Sequence, residues 1–300
     1  MRKYKVSERR ACRVVGQHRS TNRYEAMPAD FELKLVSEMN RLAMENPRYG
    51  YRRVHALLVE DGWQINRKRV ARLWRLEGHK VPPRKTKSSG QKAIGDASNS
   101  AWALPAVRPN HVWSYDFVAV RLADGGPLRI LNVVDEYTRE CVGSLVARSI
   151  GARHVTRFLE KVFGERGQPA MIRSDNGREF IAEHVKTWLA EQGVLAVFIE
   201  KASPQQNCYV ERFNGSMRDE LLNGEHFHSL LEARVVVAEW VEKYNHRRPH
   251  RRLGMKTPAA FAKTAAKRLD DEQVRAGGES AYHHKKWTSP LPTSAGMPIS

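Results

Sequence analysis

Trp113-Ser-Tyr-Asp-Phe-Val-Ala-Val120 is the stretch on which the reading of the fold turns. Its aromatic and β-branched side chains suit an extended strand inside a sheet, yet an aspartate stands in the middle of it. Working outward, residues 112–120, 128–134 and 140–147 read as three consecutive antiparallel strands, with residues 123–127 making the first turn. Helices are predicted at 152–164 and 179–192, separated by a short strand at 170–174. A strand at 195–199 precedes a long helical region, 203–222, and a last helix at 230–244. Strands in series followed by strands alternating with helices predict an α/β fold, a mixed sheet flanked by helices.

Upstream of the strands the period changes to that of helices. Residues 7–15 allow a short helix, and Phe31, Leu35, Met39 and Leu42 recur every three or four positions over 31–45. Pro47 to Gly50 breaks that run, a second helix at 51–61 buries Val54, Leu57 and Leu58, and Asn66 is placed to cap a third that stops at Gly78. The third helix has Val70, Leu73 and Trp74 for one face and Arg67, Lys68, Arg69, Arg72 and Arg75 around the rest. Such a helix can enter a major groove, or it can be an ordinary solvated basic surface. Residues 82–100, rich in Pro, Lys, Ser and Gly, read as a cationic linker.

The chain of 300 residues carries a net charge of +18, and its distribution favours the groove-binding reading. Residues 1–100 hold 23 basic against 10 acidic side chains, residues 101–200 hold 12 of each, and residues 201–300 hold 16 against 11. A polyanionic partner would therefore be drawn mainly to the first third. Cys12, Cys141 and Cys208 have neither disulfide-framework nor zinc-finger spacing, which argues against both. Neither a signal peptide nor a membrane span is legible, so a cytoplasmic, nucleoid-associated protein is expected.

Three acidic residues stand out. Asp116 sits in an apolar strand, where an uncompensated carboxylate is costly; a neighbouring arginine is one remedy and a functional cluster another. Asp175 ends the strand Met171-Ile-Arg-Ser-Asp175, the end at which α/β sheets present ligand groups, although Asp-Asn-Gly is also an ordinary turn. Ser203-Pro-Gln-Gln206 has the form of a helix start, and on that helix Val210, Phe213, Met217 and Leu221 share an apolar face. Asn207, Glu211, Asn214 and Arg218 fall on a separate polar face, which either reaches toward the aspartates or is solvated.

Taken together, Trp113-Ser-Tyr-Asp116, Ser174-Asp-Asn-Gly177 and Ser203-Pro-Gln-Gln-Asn-Cys-Tyr-Val-Glu-Arg-Phe-Asn-Gly215 resemble the DDE core of retroviral-type integrases and bacterial insertion-sequence transposases, with 35 residues between Asp175 and Glu211. The resemblance is to the second-frame (OrfB) proteins of the insertion-sequence-three family. Arg218 matches a basic position of that family, Tyr244-Asn-His-Arg-Arg-Pro-His250 and Leu253-Gly-Met-Lys-Thr-Pro-Ala-Ala-Phe261 its C-terminal signature, and Pro47-Arg-Tyr-Gly-Tyr-Arg-Arg-Val54 its helix-turn-helix segment. It extends over residues 7–262. His18, His55, His79 and Cys12 lack the spacing of the integrase zinc module, so the core is carried over without the zinc.

The resemblance implies an RNase H-like core in which Asp116, Asp175 and Glu211 are catalytic and hold two Mg²⁺ (or Mn²⁺) ions, Asp116 bridging both. It implies metal-dependent cleavage and strand transfer of DNA, with Arg218 as a DNA-binding residue beside Arg67, Lys68, Arg69, Arg72 and Arg75, the DNA-binding candidates of the basic helix. Terminal repeats and target DNA are the expected partners, bound by a homo-oligomer, with fusion to or association with an upstream-frame protein. The chain then divides into a helix-turn-helix DNA-binding region (1–81), a basic linker (82–102), a catalytic core (103–225), a C-terminal helical extension of the core (226–264) and a disordered tail (265–300). A catalytically silent DNA-binding regulator and a general RNase H-like nuclease are the competing readings.

Overall fold

The computed structural model describes residues 6–24, 29–82, 105–175, 177, 182–199 and 207–275. The predicted cap at Ser203-Pro-Gln-Gln206, most of the linker and residues 276–300 lie outside them.

The helical region opens with α1 (Glu8–Val14) and α2 (Arg19–Asn22), linked by Glu8, which pairs with Arg19 and Arg23. Then come α3 (Ala29–Glu45), α4 (Tyr51–Glu60) and α5 (Arg67–Leu76). The Asn66 side chain accepts from the Lys68 amide at 2.8 Å, satisfying a donor that the first turn of α5 leaves open. Leu35, Met39 and Leu42 of α3, Val54, Leu57 and Leu58 of α4 and Val70, Leu73 and Trp74 of α5 bury together as one core.

The sheet runs β1 (Val112–Arg121), β2 (Pro127–Asp135), β3 (Cys141–Ala147), β4 (Met171–Ser174) and β5 (Leu195–Phe198). The described residues form a five-stranded sheet of order β3-β2-β1-β4-β5, antiparallel across the first three strands and parallel across β1, β4 and β5, the order of an RNase H-like sheet. Because side chains alternate along a strand, β1 serves two cores. Trp113 and Tyr115 pack with α6 (Ala152–Arg166) and α7 (Glu183–Glu191), through Val155, Leu159, Val162 and Leu189. Val118, with Leu128, Ile130 and Val134 of β2, packs under α8 (Cys208–Met217) and α9 (Leu230–His246), through Val210, Phe213, Met217, Val237 and Trp240. Ser114 and Asp116 share the parity of Val118 and so belong to the α8 side.

Two elements depart from the sequence reading. The helix expected to run unbroken to Leu222 widens into a π turn at Arg218–Leu222. Order also does not end at Ala265, because α10 spans Pro258–Arg275. Its alanines, at 259, 260, 262, 265 and 266, give little apolar periodicity but the highest helix propensity, and this is why the pattern faded while the helix continued. Thr257 Oγ1 accepts from the Ala260 amide at its start, Ala259 and Ala265 are buried, and the Phe261 ring lies 5.8 Å from that of Tyr137.

The π turn is where the helical region meets the sheet domain. Glu220 accepts from Arg248 Nη2 at 2.6 Å and Nε at 2.8 Å, and from Arg53 Nη1 of α4 at 3.2 Å. Arg48 pairs with Asp219 at 2.5 Å, and Arg247 with Asp61 at 2.6 Å. Burial opposes the charge on Arg248, and the Glu220 hydrogen bonds and charge more than offset it, holding its pKa above the ordinary value. Glu220→Ala strands that guanidinium, which is 5% exposed, and is expected to lower stability by about 3–5 kcal/mol in denaturant unfolding. A loss within the range of ordinary surface substitutions would show that Arg248 does not depend on Glu220.

Candidate active site

Asp116 is the fifth residue of β1 and faces α8. Its Oδ1 accepts from the Phe117 amide at 2.7 Å and its Oδ2 from Asn214 Nδ2 at 2.9 Å. The remedy for its burial is therefore a pair of N–H donors and not a paired arginine. Asn214 is in turn held by its other end: Asn132 Nδ2 donates to Asn214 Oδ1 at 2.7 Å, and Ser144 Oγ donates to Asn132 Oδ1 at 2.6 Å. Asn132 is the β2 residue directly across from Asp116. A serine hydroxyl and two amides, each donating to the next group and the last to the Asp116 carboxylate, fix which end of Asn214 faces Asp116.

Asp175 leaves the end of β4, where its Oδ1 accepts from the Gly177 amide at 2.9 Å and Ser174 Oγ donates to its carbonyl at 2.9 Å. Ser114 of β1 pairs in register with Arg173 of β4, so Asp116 and Asp175, two residues further on, leave the sheet on one side at the same level. Glu211 lies on the first turn of α8, three residues before Asn214, and is exposed. Burial raises the Asp116 carboxyl above its ordinary value, with Asp175 adding to the rise while the Phe117 amide, Asn214 and Arg218 oppose it. Burial also raises Glu211, followed by the charges of Asp116 and Asp175. Among the described residues no three carboxylate, imidazole or thiolate groups are drawn close enough to hold an ion between them.

Beneath the aspartates lies an ion pair that sequence reasoning missed. Arg173 Nη1 contacts Glu136 Oε2 at 3.0 Å and Oε1 at 3.1 Å, the two side chains are 4% and 0% exposed, and Ser114 Oγ donates to Glu136. Burial pushes the Glu136 carboxyl up, and Arg173 opposes it. An arginine inside the apolar run Met171-Ile-Arg-Ser174 was the available signal, since a buried charge demands a partner. Asn132 and Ser144 gave no comparable signal, being ordinary polar residues of strands.

The basic residues separate into groups. Arg218 stands on the π turn close enough for its charge to act on Asp116. Arg67, Lys68 and Arg75 are exposed on α5, in the helical region. Arg69 and Arg72, on the same helix, reach back to Glu32 of α3 at 2.6 and 2.7 Å and clamp the two helices together.

Residues 106–204 and 192–258 each match a family model described as an integrase core domain, and residues 30–87 match one described as an HTH-like domain. The chain is 40% identical to an uncharacterized 31.7 kDa protein of insertion element IS407 from Burkholderia multivorans, over 87% of this chain and 92% of that one. It is 38% identical to an uncharacterized 39.2 kDa protein of insertion element IS476 from Xanthomonas euvesicatoria, over 86% of this chain and 72% of the other. The transposase for insertion sequence element IS629 from Shigella sonnei matches at 28% identity, over 81% and 83%. Among solved structures, the catalytic core domain of HTLV-2 integrase in complex with magnesium aligns with a TM-score of 0.43 at 17% identity, over 52% of this chain and 99% of that one.

A carboxyl whose pKa is higher in the folded chain than in the unfolded one holds its proton more tightly when folded. Its contribution to stability is complete below the ordinary carboxylate range and is lost as pH rises through the folded value. Glu211, raised in this way and with no hydrogen-bond partner among the described residues, is such a group. In the presence of a chelator, Glu211→Gln is expected to raise Tm at neutral pH, with the difference closing as pH falls. Asp116→Asn differs, because both oxygens of Asp116 accept hydrogen bonds and an amide can answer only one of those donors. Thermal unfolding across a pH series measures both, and a lower neutral-pH Tm for Glu211→Gln would contradict the carboxylate repulsion.

Proposed function

The chain belongs to the insertion-sequence transposases with an HTH-like domain and an integrase core, and from that premise we propose that it cuts and joins DNA strands at Asp116, Asp175 and Glu211. The observation that supports this reading is geometric: the β1–β4 register brings Asp116 and Asp175 to one side of the sheet, and Asn214 ties Asp116 to the helix whose first turn carries Glu211. Carboxylates that approach one another repel, and a bound cation offsets that repulsion, so three of them converging on one side of the sheet suit cation binding. Their donor set is all carboxylate oxygen, which fits Mg²⁺ or Mn²⁺, ions that keep several waters and need few protein ligands. Asp116, Asp175 and Glu211 would hold those ions, which when bound activate an oxygen nucleophile and stabilise the oxygen that leaves.

The chain's own residues supply placement. Asn214 holds Asp116 in one orientation, and Asp175 is tied to the loop by Gly177. Glu211, on an exposed face, is free to close on the aspartates. In cleavage, a water oxygen bonds to phosphorus as the bond to the 3′ oxygen breaks. In joining, a 3′-hydroxyl oxygen attacks a target phosphodiester and displaces that strand's 3′ oxygen. One phosphodiester is made for each one broken, so joining needs no nucleotide cofactor and no covalent enzyme intermediate. Terminal repeats, target DNA, assembly as a homo-oligomer on DNA and an upstream-frame partner belong to the same proposal.

Asp116→Asn, Asp175→Asn and Glu211→Gln are each expected to abolish Mg²⁺-dependent nicking and joining of labelled element ends alike, while binding of those ends persists. Double variants should lose little more than single ones, because the residues act as a unit. Substantial activity in a folded Glu211→Gln protein would remove Glu211 from the site. For the helical region, Arg67→Ala, Lys68→Ala and Arg75→Ala should each lower the log-log salt slope of DNA binding by roughly one unit, with thermal unfolding unchanged. Arg69→Ala and Arg72→Ala should weaken binding and also lower Tm, since they release Glu32; unchanged unfolding would show that the clamp adds no stability.

A further inference from the structure

Beside α8, on the flank next to the one carrying Glu211, lies a cavity of about 370 Å³ into which six arginines converge. Two of them, Arg53 and Arg248, are turned toward Glu220. The other four, Arg139, Arg212, Arg251 and Arg252, have no carboxylate within ion-pair distance among the described residues. Arg212 follows Glu211 directly in sequence, which sets the two side chains about 100° apart around the helix. Cys208, Arg212 and Ser216, at spacings of four, line the cavity as one stripe of α8.

Arg139 is the least ordinary of these residues. Its φ is +66°, a conformation that side chains other than glycine seldom adopt. The turn that imposes it is built by Asp135, whose Oδ1 accepts from the amides of Tyr137 and Thr138 at 2.8 and 2.9 Å. The guanidinium is stacked on the Tyr209 ring at 3.7 Å, and its Nη1 is buried without a hydrogen-bond partner. An unsatisfied donor on a charged group is costly, and the stacking on Tyr209 is what holds this guanidinium at the wall of a cavity of like charges. His250 reports the same field: burial, then Arg248, Arg53 and Arg139, push its pKa down to about 2, so the ring stays neutral.

We propose that this cavity is a second DNA contact of the core, in which Arg139, Arg212, Arg251 and Arg252 hold phosphates of the backbone beside the reacting bond. Guanidinium forks match phosphate oxygens in pairs, and four of them around a cavity of this size suit successive phosphates of a strand better than one small anion. The site rests on the reading of the chain as a DNA-cutting and DNA-joining enzyme, but it is tested by binding and not by turnover.

The experiment uses the full chain carrying Asp116→Asn and a fluorescein-labelled duplex of scrambled sequence, with anisotropy followed as NaCl is raised. Arg212→Gln, Arg251→Gln and Arg252→Gln, all at exposed positions that leave the fold intact, should together lower affinity and reduce the log-log salt slope by roughly one unit each. Arg157→Gln, exposed on α6 across the sheet, is the control for general loss of charge and should leave the slope almost unchanged. Arg139→Lys keeps the charge but not the fork, and should weaken binding with little change of slope. A combined cavity variant that binds like Arg157→Gln overturns the site. Nicking by the chain without Asp116→Asn is scored separately, so a failure of the catalytic reading is told apart from a failure of the cavity.

Discussion

Asp116 stands on the strand against which β2 and β4 both pair, and a charge there has to be answered by something rigid. The answer is Asn214, whose amide is oriented by Asn132 and Ser144 before it reaches the carboxylate. That chain of donors joins β3, β2, α8 and β1, so the placement of α8 on the sheet and the orientation of Asp116 are one structural fact. Glu211 rides on the same helix, three residues earlier, and its distance from the aspartates is set by the packing of Val210, Phe213 and Met217 beneath it. Apolar burial supplies the grip, and the amide relay supplies the register.

A second polar layer does for the strands what the relay does for the helix. Glu136 and Arg173 are nearly sealed from solvent, with Ser114 completing the shell of the carboxylate. Ser114 and Arg173 are register partners on β1 and β4, so the ion pair tethers the pair of strands immediately below the two aspartates. Buried pairs of this kind contribute little net stability but penalise any arrangement that separates them. A slip of β4 against β1 would separate Asp116 from Asp175, and would also strand a buried guanidinium.

Much of this could be read from local pattern. The strands announced themselves by β-branched and aromatic runs, and the cap of α5 by Asn66, because those signals sit within a few residues of what they control. The grouping of Glu211 with the aspartates was expected from a resemblance and from helical spacing, and spacing places side chains on a face but does not say what the face meets. Pairings across the chain were not legible. Nothing in residues 67–75 says that Arg69 and Arg72 will turn to Glu32, and nothing in β2 says that Asn132 will orient an amide 82 residues away. The π turn and α10 were missed for different reasons: one is a local widening at the place where a distant region makes contact, the other a helix of alanines too faintly apolar to show a period.

That widening at Arg218–Leu222 gives the helix a surplus residue. Each residue turns a helix by about 100°, so the surplus decides which way everything beyond it points. Upstream, the register belongs to Glu211 and Asn214; within the turn, Asp219 and Glu220 are aimed at Arg48 and Arg53 of the helical region. The turn works as a phase shifter between the two sets of contacts. Length itself thereby becomes information: loss of one residue from this segment would make the helix more regular while rotating everything beyond it by about 100° relative to Glu211 and Asn214.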